Sequence, residues 1–164
     1  MFLLSIMIFI PYSGSAQTGA YKLNNDLEMA VGTWKGFLIY LDYSSDKAVS
    51  LPAELVINQI GKKDKFLFSF FYPDEPNANS TDTITVSTDG KQLNNETVIS
   101  RTMSTDGEIV IVSGEKGEDG NEDKSALIRH TYTIGENVLK IRKDILFDGQ
   151  TEWINRHEFS FVKY

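Results

Sequence analysis

Roughly the last hundred residues of this chain consist of β-rich runs separated by short turn signals, with no helical period between them. That pattern is a single antiparallel meander. A long meander has two unpaired edges, and closing into a barrel is the surest way to remove them. Barrels of this kind commonly hold a small molecule in the mouth or interior.

The runs can be followed from residue 31 onward. Residues 33–43 are rich in aromatic and branched side chains. Residues 49–60 alternate, with Leu51, Ala53, Leu55 and Ile57 on one face and Glu54 and Asn58 on the other. Residues 66–72 are almost continuously aromatic and read as a strand covered on both faces. Residues 73–80 hold two prolines and form a loop. Strands are expected at 81–87, 91–103 and 108–113, with turns at Thr88-Asp89-Gly90 and Thr105-Asp106-Gly107. Residues 114–124 read as an acidic, glycine-rich, solvated hairpin loop, since the ligand spacing of a calcium-binding EF loop is absent. The last strands are 125–134, 138–147 and 151–163. Ahead of them, residues 21–30 space Leu23, Leu27 and Val31 at about one turn and predict a short helix or turn. The expected fold is all-β, an up-and-down antiparallel barrel of about eight to ten strands over residues 31–164, with 17–30 as a lead-in.

Register follows from the last three strands. A two-residue turn at Glu136-Asn137 sets Ile134 opposite Leu139, Tyr132 opposite Ile141, His130 opposite Lys143 and Ile128 opposite Ile145. A three-residue connection at Asp148-Gly149-Gln150 sets Ile145 opposite Trp153, Ile141 opposite His157 and Leu139 opposite Phe159. The apolar partners then share one face. Arg129, Thr131, Thr133, Lys140, Arg142, Asp144, Arg156 and Glu158 take the wet one.

Residues 2–10 are an unbroken run of nine with one serine and no charge, too short to span a bilayer. Small residues follow, so residues 1–16 read as a signal peptide cleaved after Ala16, although no Lys or Arg precedes the run. About 148 residues remain, enough for one domain with a core. A formal charge of −7 argues against a nucleic-acid or anionic-membrane surface. The absence of cysteine excludes disulfides, a thiol nucleophile and a lipid-anchored N-terminal cysteine. The expectation is a secreted or periplasmic bacterial protein with no integral membrane segment in the mature chain. Two sequons, at Asn79 and Asn95, carry no meaning in that setting.

Gly32-Thr33-Trp34-Lys35-Gly36 just before the first strand of a closed meander resembles the Gly-x-Trp opening of the lipocalin and calycin families. The tail from Arg129-His130-Thr131-Tyr132 through Phe147-Asp148-Gly149 to Trp153 and Arg156 looks like the closing hairpins of small bacterial lipocalin-like domains. The resemblance implies that Trp34 packs across one end of the barrel beneath a basic residue, for which Arg156 is the candidate. The second lipocalin motif, Thr-Asp-x-x-Tyr, is absent: Thr81-Asp82 and Thr88-Asp89 lack the Tyr. Some small barrels with a similar opening hold haem through one C-terminal histidine. That resemblance implies His157 as an axial ligand, with Lys35 standing where those proteins carry Arg and Phe37 replacing a second glycine.

The two histidines, His130 and His157, both fall on the apolar face, with Tyr132, Lys143 and Asn155. They suit either an inward polar cluster that orients a ligand or histidines satisfied within the core. No nucleophile elbow, zinc-helix motif or phosphate loop occurs, so no catalysis, metal or cofactor is expected. The function implied is non-enzymatic binding of a small hydrophobic or amphipathic molecule. Trp34, Leu38, Tyr40, Phe68 and Phe70 would form the apolar wall, and His130, Tyr132, Lys143 and His157 the polar anchors. The alternative is a barrel filled by its own side chains that displays its loops to a protein or glycan.

Overall fold

A computed structural model describes residues 23–164 apart from 43 and 46. The proposed leader and most of the lead-in lie outside the described residues. A short helix, α1 (Leu23–Met29), precedes β1 (Gly32–Leu41), β2 (Ala48–Gln59), β3 (Lys65–Phe71), β4 (Ser80–Thr85), β5 (Gln92–Leu93), β6 (Glu96–Met103), β7 (Ile109–Asp119), β8 (Lys124–Ile134), β9 (Val138–Phe147) and β10 (Ile154–Lys163). These ten strands form one antiparallel sheet in the order β4-β3-β2-β1-β10-β9-β8-β7-β6-β5. Every ladder joins chain neighbours except the one between β1 and β10, and β4 and β5 stand at the two ends of the rolled sheet.

The cylinder is nearly closed. Val86 just after β4 bridges Leu93 of β5. Asn94 N–H donates to the Thr85 carbonyl (2.7 Å), and the Asn94 side chain accepts from Thr85 N–H (2.8 Å). Beyond that clasp no ladder joins β4 to β6 among the described residues, so a seam runs between them.

The helix plugs one end. Leu23 and Leu27, one turn apart, are both fully buried. Trp34 is also buried, and its indole N–H donates to the Ala30 carbonyl at 2.8 Å, which satisfies the one polar atom of the ring. Asp26, on the buried face of α1, accepts two bonds from the Arg101 guanidinium of β6, at 2.7 and 2.8 Å. The expected packing of Trp34 across a barrel end is therefore present. The basic residue over it is Lys163, with Nζ 5.3 Å from the ring centroid, and not Arg156.

Most turns stand where expected, with Gly90, Gly107 and Gly149 at positive φ. Four expectations need correction. The acidic 114–124 loop is mostly strand: β7 continues to Asp119, and only residues 120–123 turn the chain. Charged side chains there occupy the exposed face, while Asp119 is buried against cations. The single strand at 91–103 is two, because Asn94 adopts a left-handed conformation (φ 54°) and reverses the chain between β5 and β6. The aromatic run 66–72 is covered on one face only: Phe66, Phe68, Phe70 and Tyr72 are buried, while Phe71 faces out.

The fourth correction is register. The β8–β9 pairs are as expected, but β10 starts later, with Ile154 and not Trp153 opposite Ile145. A bulge then inserts Arg156, so His157 faces Lys143, Phe159 faces Ile141 and Phe161 faces Leu139. Each odd slip flips the face, and the bulge flips it back. His157, Phe159 and Phe161 therefore share the face expected of them, with partners two residues removed. Trp153 does not join them. It lies partly exposed, with the Arg129 guanidinium 4.1 Å from its ring.

Candidate functional site

A pocket of about 430 Å³ reaches into the barrel and opens beside the β4–β6 seam. Its apolar wall comes from Phe68 and Phe70 of β3, Ile84 of β4, Ile141 of β9 and Phe159 of β10, with Tyr72 after β3. Phe70 and Phe159 meet across it with ring centroids 4.9 Å apart, and Phe159 stacks on Phe161 at 5.6 Å. Its polar wall comes from Glu96, His130, Tyr132 and His157, and its rim from Ser80, Asp82, Thr83 and Asn94 at the seam.

The polar groups are not scattered. Ser113 pairs with His130, His130 with Lys143, Lys143 with His157, and His157 with Tyr40, so one row crosses β7, β8, β9, β10 and β1. Glu96 on β6 extends the row. Its carboxylate accepts from Ser113 Oγ at 2.6 Å and stands 2.7 Å from His130 Nδ1. Burial alone would raise the Glu96 pKa. The bonds from His130 and Ser113, with the positive charge of Lys143, outweigh it and hold the acid below its ordinary value. His157 goes the other way: burial, reinforced by His130 and Lys143, lowers it to about 4, so it is neutral at pH 7. Tyr132 is pushed up by burial and by the fields of Glu96 and Asp82, and keeps its proton.

A second polar cluster lies past this row, at the barrel end away from α1. Asp119 accepts from the Lys143 ammonium and stands 3.2 Å from Arg156 Nε. The bulge in β10 accounts for this placement, since it takes Arg156 out of the wet face where strict alternation would leave it. On the outside, Asp144 is gripped by Arg142 and Arg129. Burial opposes its ionisation, but those bonds keep its pKa low.

Of the residues singled out from sequence, Phe68, Phe70, His130, Tyr132 and His157 do converge on the cavity. Trp34, Leu38, Tyr40 and Lys143 do not line it. Trp34 is committed to the helical plug, Leu38 packs against the core, Tyr40 ends the polar row, and the Lys143 ammonium is taken by Asp119. Sequence reasoning missed Glu96, Asp82, Ile141 and Phe159 as wall residues. A short turn at 120–123 would have aligned Ser113 with His130 and exposed the polar row. Nothing local marks Glu96 as inward.

Toward the two carboxylates of a haem this wall presents Asp82 and Glu96 and no Lys or Arg, which disfavours that ligand. Among the described residues no group of three or more His, Asp or Glu is placed to hold a metal ion. No described helix is long and apolar enough to cross a membrane.

The chain matches no protein-family model and no curated protein. Among solved structures it is similar to two single-substitution mutants of the fluorescent protein UnaG. Identities are 12% and 13%, with TM-scores of 0.41 and 0.40. Each likeness covers 84% of this chain, and 98% and 96% of the two neighbours.

Proposed function

We propose that this protein is a non-enzymatic carrier or sensor that binds a small amphipathic molecule inside its barrel. One observation carries the reading: an interior space of about 430 Å³ has aromatic side chains on one side and an ordered polar row on the other. That volume falls in the range of ordinary small-molecule sites, and a few polar groups on an apolar wall are how such sites gain orientation. The seam between β4 and β6 supplies a route in without unfolding, because no ladder hydrogen bonds need break there.

The test is titration with a neutral fluorescent probe, N-phenyl-1-naphthylamine, whose emission rises on leaving water. The wild type should bind it at one site. Thr83→Trp, which places a large ring at the rim, should weaken binding several-fold, while Phe71→Ser on the outer face should not. No saturable binding, or equal binding by the rim variant, would leave a barrel filled by its own side chains, with its loops as the functional surface.

A further inference from the structure

We propose that the interior site selects amphiphiles with a cationic head, an alkylammonium or quaternary ammonium group, and disfavours carboxylates. This rests on the binding reading above and names the ligand class for the same cavity.

The argument begins with charge. The cavity presents two carboxylates, Glu96 in its wall and Asp82 at its rim, with two histidines and no Lys or Arg. His157 is half-buried, packs against Phe159 at 5.6 Å with the two rings steeply inclined, and carries no charge at neutral pH. His130 stands against Glu96, so even as an imidazolium it only cancels that acid and leaves Asp82 in excess. The wall is therefore formally negative in either state of His130.

The cations that could reverse this sit beyond the wall. Lys143 and Arg156 both bind Asp119, which is itself buried. Drawing either cation away to meet an anionic ligand would cost the buried Asp119 one of its partners. An incoming carboxylate would also face Glu96, which cannot withdraw: Ser113 and His130 hold it in place and ionised.

Two features suit a cation positively. Each Glu96 oxygen makes one of the contacts just described and retains a further lone pair for a donor or a positive centre. Phe68 and Phe70 line the same space, and an aromatic ring whose face a ligand can reach attracts a desolvated ammonium group. The head group would lie near the seam, between Asp82 on β4 and Glu96 on β6. The tail would run toward Phe70 and Ile141.

Three ligands with one tail separate the possibilities: dodecyltrimethylammonium, dodecanol and dodecanoate. Each is used below its micellar concentration to displace bound N-phenyl-1-naphthylamine at pH 7.5. The ammonium should displace the probe at a concentration about tenfold lower than the carboxylate, with the alcohol between them. Glu96→Gln should bring the ammonium and carboxylate to within about threefold of one another. Asp82→Asn, at an exposed position, should shift the ratio the same way and serves if the Glu96 variant fails to fold. Equal or tighter displacement by dodecanoate in the wild type, or a preference untouched by both variants, overturns the inference and leaves interior binding intact. Failure of the probe itself to bind removes the cavity reading, and the inference with it.

Discussion

Replacing Gly36 by alanine should destabilise the fold, although alanine in a strand ordinarily gains about 0.5–1 kcal/mol over glycine. Gly36 lies in β1 between two ladders, opposite Ala53 of β2 and Phe161 of β10. A Cβ there would stand 1.9 Å from the Ser160 carbonyl oxygen and 2.9 Å from Phe161 Cα. Both obstacles are backbone, so no rotamer change relieves them. The oxygen would have to retreat by about 1 Å to reach the closest contacts a Cβ tolerates. Such a shift disrupts about two ladder hydrogen bonds, worth about 1 kcal/mol each, and adds packing strain of about 1–3 kcal/mol. After subtracting the glycine entropy gain, a net loss of about 2–4 kcal/mol remains. For a domain of this size the melting temperature should fall by about 5–15 °C. Urea unfolding followed by tryptophan fluorescence measures this, with an unchanged m-value showing that the same transition is compared. A variant as stable as the wild type, or more so, would refute the close approach of β1 and β10.

Three further outcomes follow from the same structure. Asp26→Ala should cost about 3–5 kcal/mol in urea unfolding by leaving Arg101 without its bidentate partner, whereas Asp26→Leu with Arg101→Met should recover most of that loss. His157 has a folded pKa of about 4, below its ordinary 6.5, so the unfolded chain binds more protons between those values and stability rises with pH. Its contribution is complete above about pH 6.5 and lost as pH falls toward 4. Between pH 7.5 and 5 the wild type should therefore lose about 2 kcal/mol more than His157→Phe, and equal losses would contradict a buried neutral imidazole. Trp34→Phe should cost about 1–3 kcal/mol in the same assay by deleting the indole bond to Ala30 and leaving its carbonyl unpaired.

The β character was legible because its signals are local. Strand alternation has a period of two, and Asp-Gly turns demand positive φ, so the hairpins at 88–90 and 105–107 are visible without any tertiary knowledge. The β8–β9 register was equally readable, since one short turn leaves a single pairing that buries the apolar set. The β9–β10 register was not. A longer connection and a bulge each move the pairing, and a bulge leaves no composition signature in the sequence.

Sequence alone therefore determined that strands form, where most of them turn, and that His130, Tyr132, His157, Phe68 and Phe70 look inward. These are consequences of local periodicity. Only the tertiary structure decided which inward residues enclose space: Trp34 went to the plug, Lys143 to Asp119, and Glu96 and Asp82 to the wall. The sign of charge inside a barrel depends on which side chains neutralise one another across strands far apart in sequence. Bulges and closure set those partners, and no local pattern encodes them.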